Sequence, residues 1–550
     1  MIKLTSFFTA MLIFFGNFYA WFLPKAPEAP TAEELSAISS SIQKKELGDV
    51  VYAVDISSFT EDEKYSAIAL QGIVAKTNPC IYFTSYDSYI NEIEKSGKTV
   101  IRTDSNGKKW TYKSLVSQFS SYIGDRGYVL YENSEFAEGM NVASNFATAY
   151  SWLPVPVSVR DSAEECGLTL KKDLTTEKYD YAFQRKYFNQ LKKYFNKGTV
   201  VHLSYRMTGM RDLAVSQGYF CFYTQNDTAG DIFLREVLSW SGKNTAVYGW
   251  CEQEKHMVEL LSEMGCTITP SDFCRNTSYL SQLETGTAFR STPGTAYTDD
   301  TRHYVTLVFS DGDNCQWLQN GFPEYHSVMR DYPDCKITWT FSPFIKSLCP
   351  FTLERTVAAA NENASFIAGP SGLGYCNPSL FDGKSLDVFS AQTANAMLQS
   401  GQRIVTILDD YSAIHEGTMK WSFDYFSRFD NIDGGILFFD PDRYEGGKGK
   451  VWFSNDKPFA SVRLSLWADG GYDGATDEWI QKQADTVNSY PADIHSVNGY
   501  SVICVHAWTM KPASVEKFIS LLSDRVQILS AADFLATISQ NVPHETSIPD

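Results

Sequence analysis

The chain has 550 residues, with 47 Lys+Arg against 65 Asp+Glu, a net charge of −18. At about 150 residues per domain, that length predicts more than one domain and an ample core. Hydrophobic residues at 43% and charged residues at 20% exclude a disordered chain, and the acidic balance tells against a nucleic-acid or anionic-membrane partner, which would be repelled.

Met1-Ile2-Lys3 and the apolar run Leu4–Leu23 resemble a secretory signal peptide over residues 1–23, with a signal anchor as the alternative. The expected location is secreted, or an endomembrane or lysosome-like lumen. No stretch past Leu23 is long and apolar enough to span a bilayer. Residues 24–48, with Pro24, Pro27, Pro30 and a helical pattern over Ala32–Lys45, read as a linker or leading arm.

From Asp49 onward, strand runs alternate with helical periodicity. Val50–Asp55, Cys80–Phe83, Tyr128–Tyr131, Pro154–Val159, Val200–Ser204 and Ala246–Trp250 read as strands. Thr60–Lys76, Phe136–Tyr150, Phe183–Phe195 and Glu252–Met264 read as helices. This alternation predicts an N-terminal α/β domain over 49–290 with mainly parallel pairing. A Thr-, Gly- and Ser-rich stretch at 284–303 marks a boundary near residue 290. Beyond it, over 291–550, short apolar runs end at Phe309, Phe341, Ala368, Leu408, Phe439, Leu466, Val505 and Leu529. Seven or eight strands over about 250 residues match a (β/α) barrel, with an open doubly wound sheet as the competitor.

Parallel α/β folds carry their sites at the carboxyl ends of the strands. Those ends here hold Asp311, Asp313 and Asn314; Gly372, Gly374 and Tyr375; Asp409 and Asp410; Asp440; Trp467; and His506 with Trp508. Glycoside hydrolysis needs one protonated and one ionised carboxyl group across a mouth. Asp311, Asp313, Asp409 and Asp440 are the catalytic candidates. Any one of them, taken alone, reads first as a turn or N-cap residue, and only their joint placement favours catalysis. Asn314, Gly372, Gly374, Tyr375, Asp410, Trp467, His506 and Trp508 are the substrate-binding candidates, and the aromatic content of 14% suits stacking on sugars. His506 reads either as a site group or as a satisfied core histidine. No cofactor is expected. Asp311, Asp313 and His506 offer oxygen and nitrogen donors for a divalent ion. An early Asp-Gly strand end and a late strand histidine look somewhat like a polysaccharide deacetylase, but no histidine pair at helical spacing exists among the 8 histidines.

The 11 cysteines form no CxxC pair. Cys335–Cys349 and Cys266–Cys274 are disulfide candidates, and buried thiols are the alternative. Asn226, Asn276 and Asn363 begin Asn-x-Ser/Thr sequons and are candidate glycosylation sites.

Several motifs resemble the GxGYxYP family, which carries a glycoside hydrolase designation and has N- and C-terminal domains. The naming motif is Gly372-Leu373-Gly374-Tyr375-Cys376-Asn377-Pro378, with Asn377 in place of the second tyrosine. Ser310-Asp311-Gly312-Asp313-Asn314, Leu70-Gln71-Gly72-Ile73-Val74, Arg463–Trp467 and Val505–Trp508 are also similar. The resemblance covers roughly residues 48–540. It implies a two-domain, exported protein with a carbohydrate substrate or ligand. A non-catalytic glycan-binding or cell-surface protein and a metal-dependent deacetylase-like enzyme are the alternative functions.

Overall fold

The computed structural model describes residues 26–36, 42–85, 89–205, 207–332, 335–410 and 416–550. The expected signal segment, 1–23, lies outside them. Of the helix expected over Ala32–Lys45, the structure shows Ala32–Ser36, and residues 37–41 are not described. Gln43–Gly48 are neither helix nor strand: Lys44 and Lys45 donate to the carbonyls of Ser281, Leu283, Ala75 and Ser216, which ties the arm down.

The N-terminal part pairs in parallel throughout, but over three small sheets rather than one. The first holds β1 (Val50–Val54), β2 (Ile81–Phe83) and β3 (Thr99–Ile101) in the order β2-β1-β3. The second holds β4 (Gly127–Tyr131), β5 (Leu153–Pro156) and β6 (Thr169–Asp173) in the order β5-β4-β6. The third holds β7 (Thr199–His202), β8 (Phe220–Phe222), β9 (Ala246–Gly249) and β10 (Thr267–Pro270) in the order β10-β9-β7-β8.

The helix Glu61–Ala75 joins these units. Thr60 and Glu63 close a capping box, and Glu61, Asp62 and Glu63 suit the positive end of the helix. Nearly all of its residues from Tyr65 on are buried, because it packs on several elements at once. A side chain at Gly72 would lie 2.6 Å from the carbonyl oxygen of Asp212, so only glycine permits the close crossing with the helix Arg211–Gln217. Gln71 Nε2 donates to the Ile81 carbonyl and to Asn276 Oδ1. The Leu70–Val74 motif is therefore architectural.

The C-terminal part is a closed parallel barrel. Its seven strands are β11 (His303–Phe309), β12 (Ile337–Phe341), β13 (Ala364–Ala368), β14 (Ile404–Asp410), β15 (Gly434–Asp440), β17 (Lys457–Leu466) and β18 (Tyr500–Val505). They follow one another around the ring, and β11 closes it by pairing with both β18 and β12. Most strand residues are buried on both faces, which explains the unbroken apolar runs in the sequence. β16 (Val451–Ser454) lies antiparallel on β17, and β19 (Val526–Ile528) pairs with the lower half of β11, beneath its contact with β12. The seam between β13 and β14 rests on one pair, Ala368 with Val405. The interdomain segment supports it: Phe289 N–H donates to the Ser400 carbonyl (2.7 Å), and its ring stacks on Phe366 at 4.3 Å.

None of the eleven cysteines is joined in a disulfide, and all but Cys166 are buried. The pairs expected from sequence proximity are not bonded. Cys266 Sγ faces the carbonyls of Gly242 and Met264, whereas Cys274 sits beside Cys315 and Cys349. No helix among the described residues is long and apolar enough to cross a membrane.

Candidate active site

The site begins at the end of β11. Asp311 takes a left-handed backbone conformation with φ +68°, a costly geometry that aspartate tolerates better than most residues. A side chain at Gly312 would fall 2.1 Å from the carbonyl carbon of Thr340, and one at Gly369 would fall 2.7 Å from that of Gly312. The loops after β11 and β13 thus pack backbone on backbone, which fixes where Asp311 and Asp313 stand. Asn314 Oδ1 accepts from Trp317 N–H (3.0 Å) and caps the next helix while bordering the same cavity.

The two aspartates differ in their partners. Asp311 Oδ2 accepts from the Ser310 hydroxyl, and Oδ1 accepts from Trp508 Nε1–H at 2.6 Å. Burial pushes its carboxyl above the usual range, and both donors oppose that by favouring the anion. Among the described residues no side chain hydrogen-bonds to Asp313. Burial, then the neighbouring Asp311 and Glu254, push it well above the carboxylate range.

The glycine-tyrosine loop after β13 forms the roof with the third sheet. Gly372, at φ +100°, lies against Thr393, and a side chain at Gly374 would meet Thr267 Oγ1 at 2.8 Å. Tyr375 N–H donates to the Ile268 carbonyl (2.8 Å) and Ile268 N–H to that of Tyr375 (3.0 Å), so the loop forms an antiparallel bridge with β10. Asn377 N–H donates to Ser262 Oγ. The two glycines thus serve close packing. The Tyr375 ring is 6% exposed, lies near-parallel to Trp250 at 6.4 Å, and sends its O–H to Glu254 Oε1 at 2.8 Å. Glu254 opens the helix Glu254–Glu263, which comes after β9. Its carboxyl is pushed up by burial and by Asp311.

These groups enclose a cavity of about 50 Å³, bordered by Trp250, Glu254, Asp311, Asp313, Tyr375 and Tyr444 among others. The Tyr444 ring stacks on Phe438 at 5.0 Å and meets Trp467 edge-on at 5.3 Å.

The remaining candidates stand elsewhere around the mouth. Asp409 is 1% exposed and fully engaged: Oδ1 accepts from the Ser379 hydroxyl (2.7 Å) and Asp410 N–H (3.0 Å), and Oδ2 from Ser379 N–H (2.9 Å). Burial pushes it up to about 7, and it does not border the cavity. Asp410 pairs with Lys255 at 2.8 Å, and Asp440 lies beside it in register. Burial raises Asp440 and Lys255 opposes the shift. The His506 ring lies flat on Trp467 at 3.6 Å, with Nδ1 at 3.1 Å from Thr509 Oγ1. Burial, then Arg443, hold it down to about 4, so it is neutral at neutral pH. Trp508 remains 43% exposed and also packs on Trp317.

The metal alternative does not fit this arrangement. Among the described residues no three His, Cys, Asp or Glu side chains converge to hold a metal ion, and His506 is committed to Trp467 and Thr509. Asn276 is corrected as a glycan acceptor: it is 2% exposed, and its amide bonds Gln71 and Phe83. Asn226 is exposed and Asn363 half-buried.

Glu254, Trp250 and Tyr444 are not among the residues expected from the sequence. Trp250 and Glu254 do carry a signal: they come just after the apolar run of β9, the same position relative to a strand that the acids of the second half occupy. Nothing in the sequence places them over the barrel.

Comparison with known proteins agrees with the motifs. A solved structure described as "a putative hydrolase from Bacteroides thetaiotaomicron VPI-5482" superposes with a TM-score of 0.80 at 24% identity, covering 92% of this chain and 98% of that one, and shows the same fold. A "putative polysaccharide deacetylase from Mycobacterium smegmatis" gives a TM-score of 0.31 at 10% identity, over 48% of this chain and 99% of that one, too loose to bear on the fold. No curated protein matches the chain. Family models match at residues 126–191 ("GxGYxYP_N second domain"), 196–282 ("GxGYxYP third domain") and 301–539 ("GxGYxYP putative glycoside hydrolase C-terminal domain"). The chain belongs to the GxGYxYP family.

Proposed function

We propose that the protein is a glycoside hydrolase whose reaction centres on Asp311 and Asp313. The observation that carries this reading is the contrast between two carboxyl groups on one loop. Burial raises both carboxyl groups, but Ser310 and Trp508 oppose the rise at Asp311 by donating to its anion, while Asp313 lacks such donors and is pushed well above the carboxylate range. Environments that drive neighbouring acids apart in this way let one of them serve as the ionised partner that glycosidic cleavage requires. The ionised Asp311 would attack the anomeric carbon or activate water. Trp508 orients it, and the Tyr375, Tyr444 and Trp250 rings supply apolar faces for a sugar.

The test is hydrolysis of a panel of aryl glycosides and oligosaccharides by the full-length protein. Asp311→Asn and Asp313→Asn should each abolish cleavage while the unfolding midpoint stays within a few degrees. Sugar binding without reducing-end release, or full activity in both variants, would sink the reading.

A further inference from the structure

Asp311 and Asp313 belong to one loop, two residues apart, and so approach anything in the cavity from the barrel side. Glycosidic cleavage also needs a proton delivered to the leaving oxygen, by a group held apart from the ionised carboxylate. The roof brings one carboxylate to this cavity, that of Glu254.

We infer that Glu254, supplied by the third N-terminal domain, is the general acid of the reaction, so that the active site is shared across the domain seam. This rests on the glycoside hydrolase reading. In the step, the proton on Glu254 passes to the glycosidic oxygen as the carbon–oxygen bond breaks, and the bonding pair leaves with that oxygen. Asp311 attacks the anomeric carbon or takes the proton of an attacking water, and water restores both groups.

Two observations support the assignment. Tyr375 O–H fixes Oε1 at 2.8 Å, and among the described residues nothing donates to Oε2, which is left to carry the proton. The titratable groups facing Glu254 are Asp311 and Asp313 from the β11 loop, Tyr375 from the roof loop, Asp440 and Tyr444 from the β15 end, and Cys251 upstream. Burial first, and then Asp311, favour the neutral form of Glu254, while the Tyr375 hydroxyl opposes them by donating to its anion. Lys255, the adjacent cation, is turned to Asp410. The enclosed cavity, at about 50 Å³, holds little more than one water of about 30 Å³. A sugar ring therefore enters only when residues that line this cavity move apart.

Glu254→Gln keeps an acceptor for Tyr375 and tests the assignment with 2,4-dinitrophenyl, 4-methylumbelliferyl and unactivated alkyl glycosides. The expected result is activity within about tenfold on the dinitrophenyl substrate, whose leaving group needs no proton, against a loss of about 10²–10⁴-fold on alkyl glycosides. The basic limb of the kcat/KM profile should also disappear. Glu254→Asp, which retracts the carboxyl group, should keep that limb with lowered activity. A loss independent of leaving group, an unchanged pH profile, or the leaving-group dependence appearing in Asp313→Asn instead would overturn the inference and leave the hydrolase reading standing. Cleavage of no glycoside by the native chain would remove both.

Discussion

At the end of β11, Asp311 and Asp313 border a cavity; at the end of β14, Asp409 and Asp410 do not, although both pairs come after an apolar parallel strand. The difference lies in the neighbouring loops. Ser379 covers both oxygens of Asp409, and Lys255 neutralises Asp410. At β11 the glycines at 312 and 369 let backbones close in from the side, so Asp311 takes two donors and Asp313 none while both still border the cavity. A strand-end acid is available for chemistry when its loop sets it against a cavity, and is structural when neighbouring donors hold it away from one.

The largest effect should come from Asp311→Asn, with about 10²–10⁴-fold lost from kcat and an unchanged fold by circular dichroism. The parallel change Asp409→Asn should leave turnover on activated glycosides nearly intact. Equal losses would erase the distinction between the two strand ends.

Asp409 should show itself in stability instead. Its folded value of about 7 lies above that of an unfolded carboxylate. Between about pH 4 and 7 the folded chain holds a proton that the unfolded chain releases, so its stabilising contribution is full below about pH 4 and is lost as pH climbs toward 7. The shift corresponds to roughly 4 kcal/mol at most. Denaturant titrations of native and Asp409→Asn protein should differ in slope over that window. His506, held to about 4, acts with the opposite sign: its contribution is lost as pH falls from about 6.5 to about 4.

Two smaller effects sharpen the comparison. Gly374→Ala would crowd Thr267, a side chain able to yield. It should cost about 1–3 kcal/mol and raise protease sensitivity around residues 369–377. Lys255→Ala removes a largely exposed ion pair and should shift stability by less than about 1 kcal/mol. A larger loss would mean that the β14 end is held by charge rather than by Ser379.

The barrel and its strand ends are legible in the sequence because buried parallel strands are continuous apolar runs and their loops are short. The strands β3, β6, β8, β10 and β16 are not, although β2, β7 and β9, equally short, stand out as apolar runs. Asp409 looks equivalent to Asp311 on paper because Ser379, 30 residues upstream, meets it only after folding. Glu254 is invisible for a deeper reason. Its place above the mouth depends on links such as the bridge of Tyr375 with Ile268 and the bond from Asn377 to Ser262, between segments more than a hundred residues apart. The naming motif marks that joint, although the glycines alone suggest a ligand loop.

The way the ring closes on β11 carries a consequence for biogenesis. Each N-terminal sheet is assembled from one continuous stretch of chain, so it can form while translation proceeds. The ring cannot: β11 waits for β18, and its lower edge waits for β19, both far downstream in the chain. The hydrogen bond from Trp508 to Asp311 spans 197 positions. The polypeptide therefore leaves the ribosome with an exposed β11 edge and an immature Asp311, and truncation anywhere before residue 505 should yield a protein that needs chaperones and never matures.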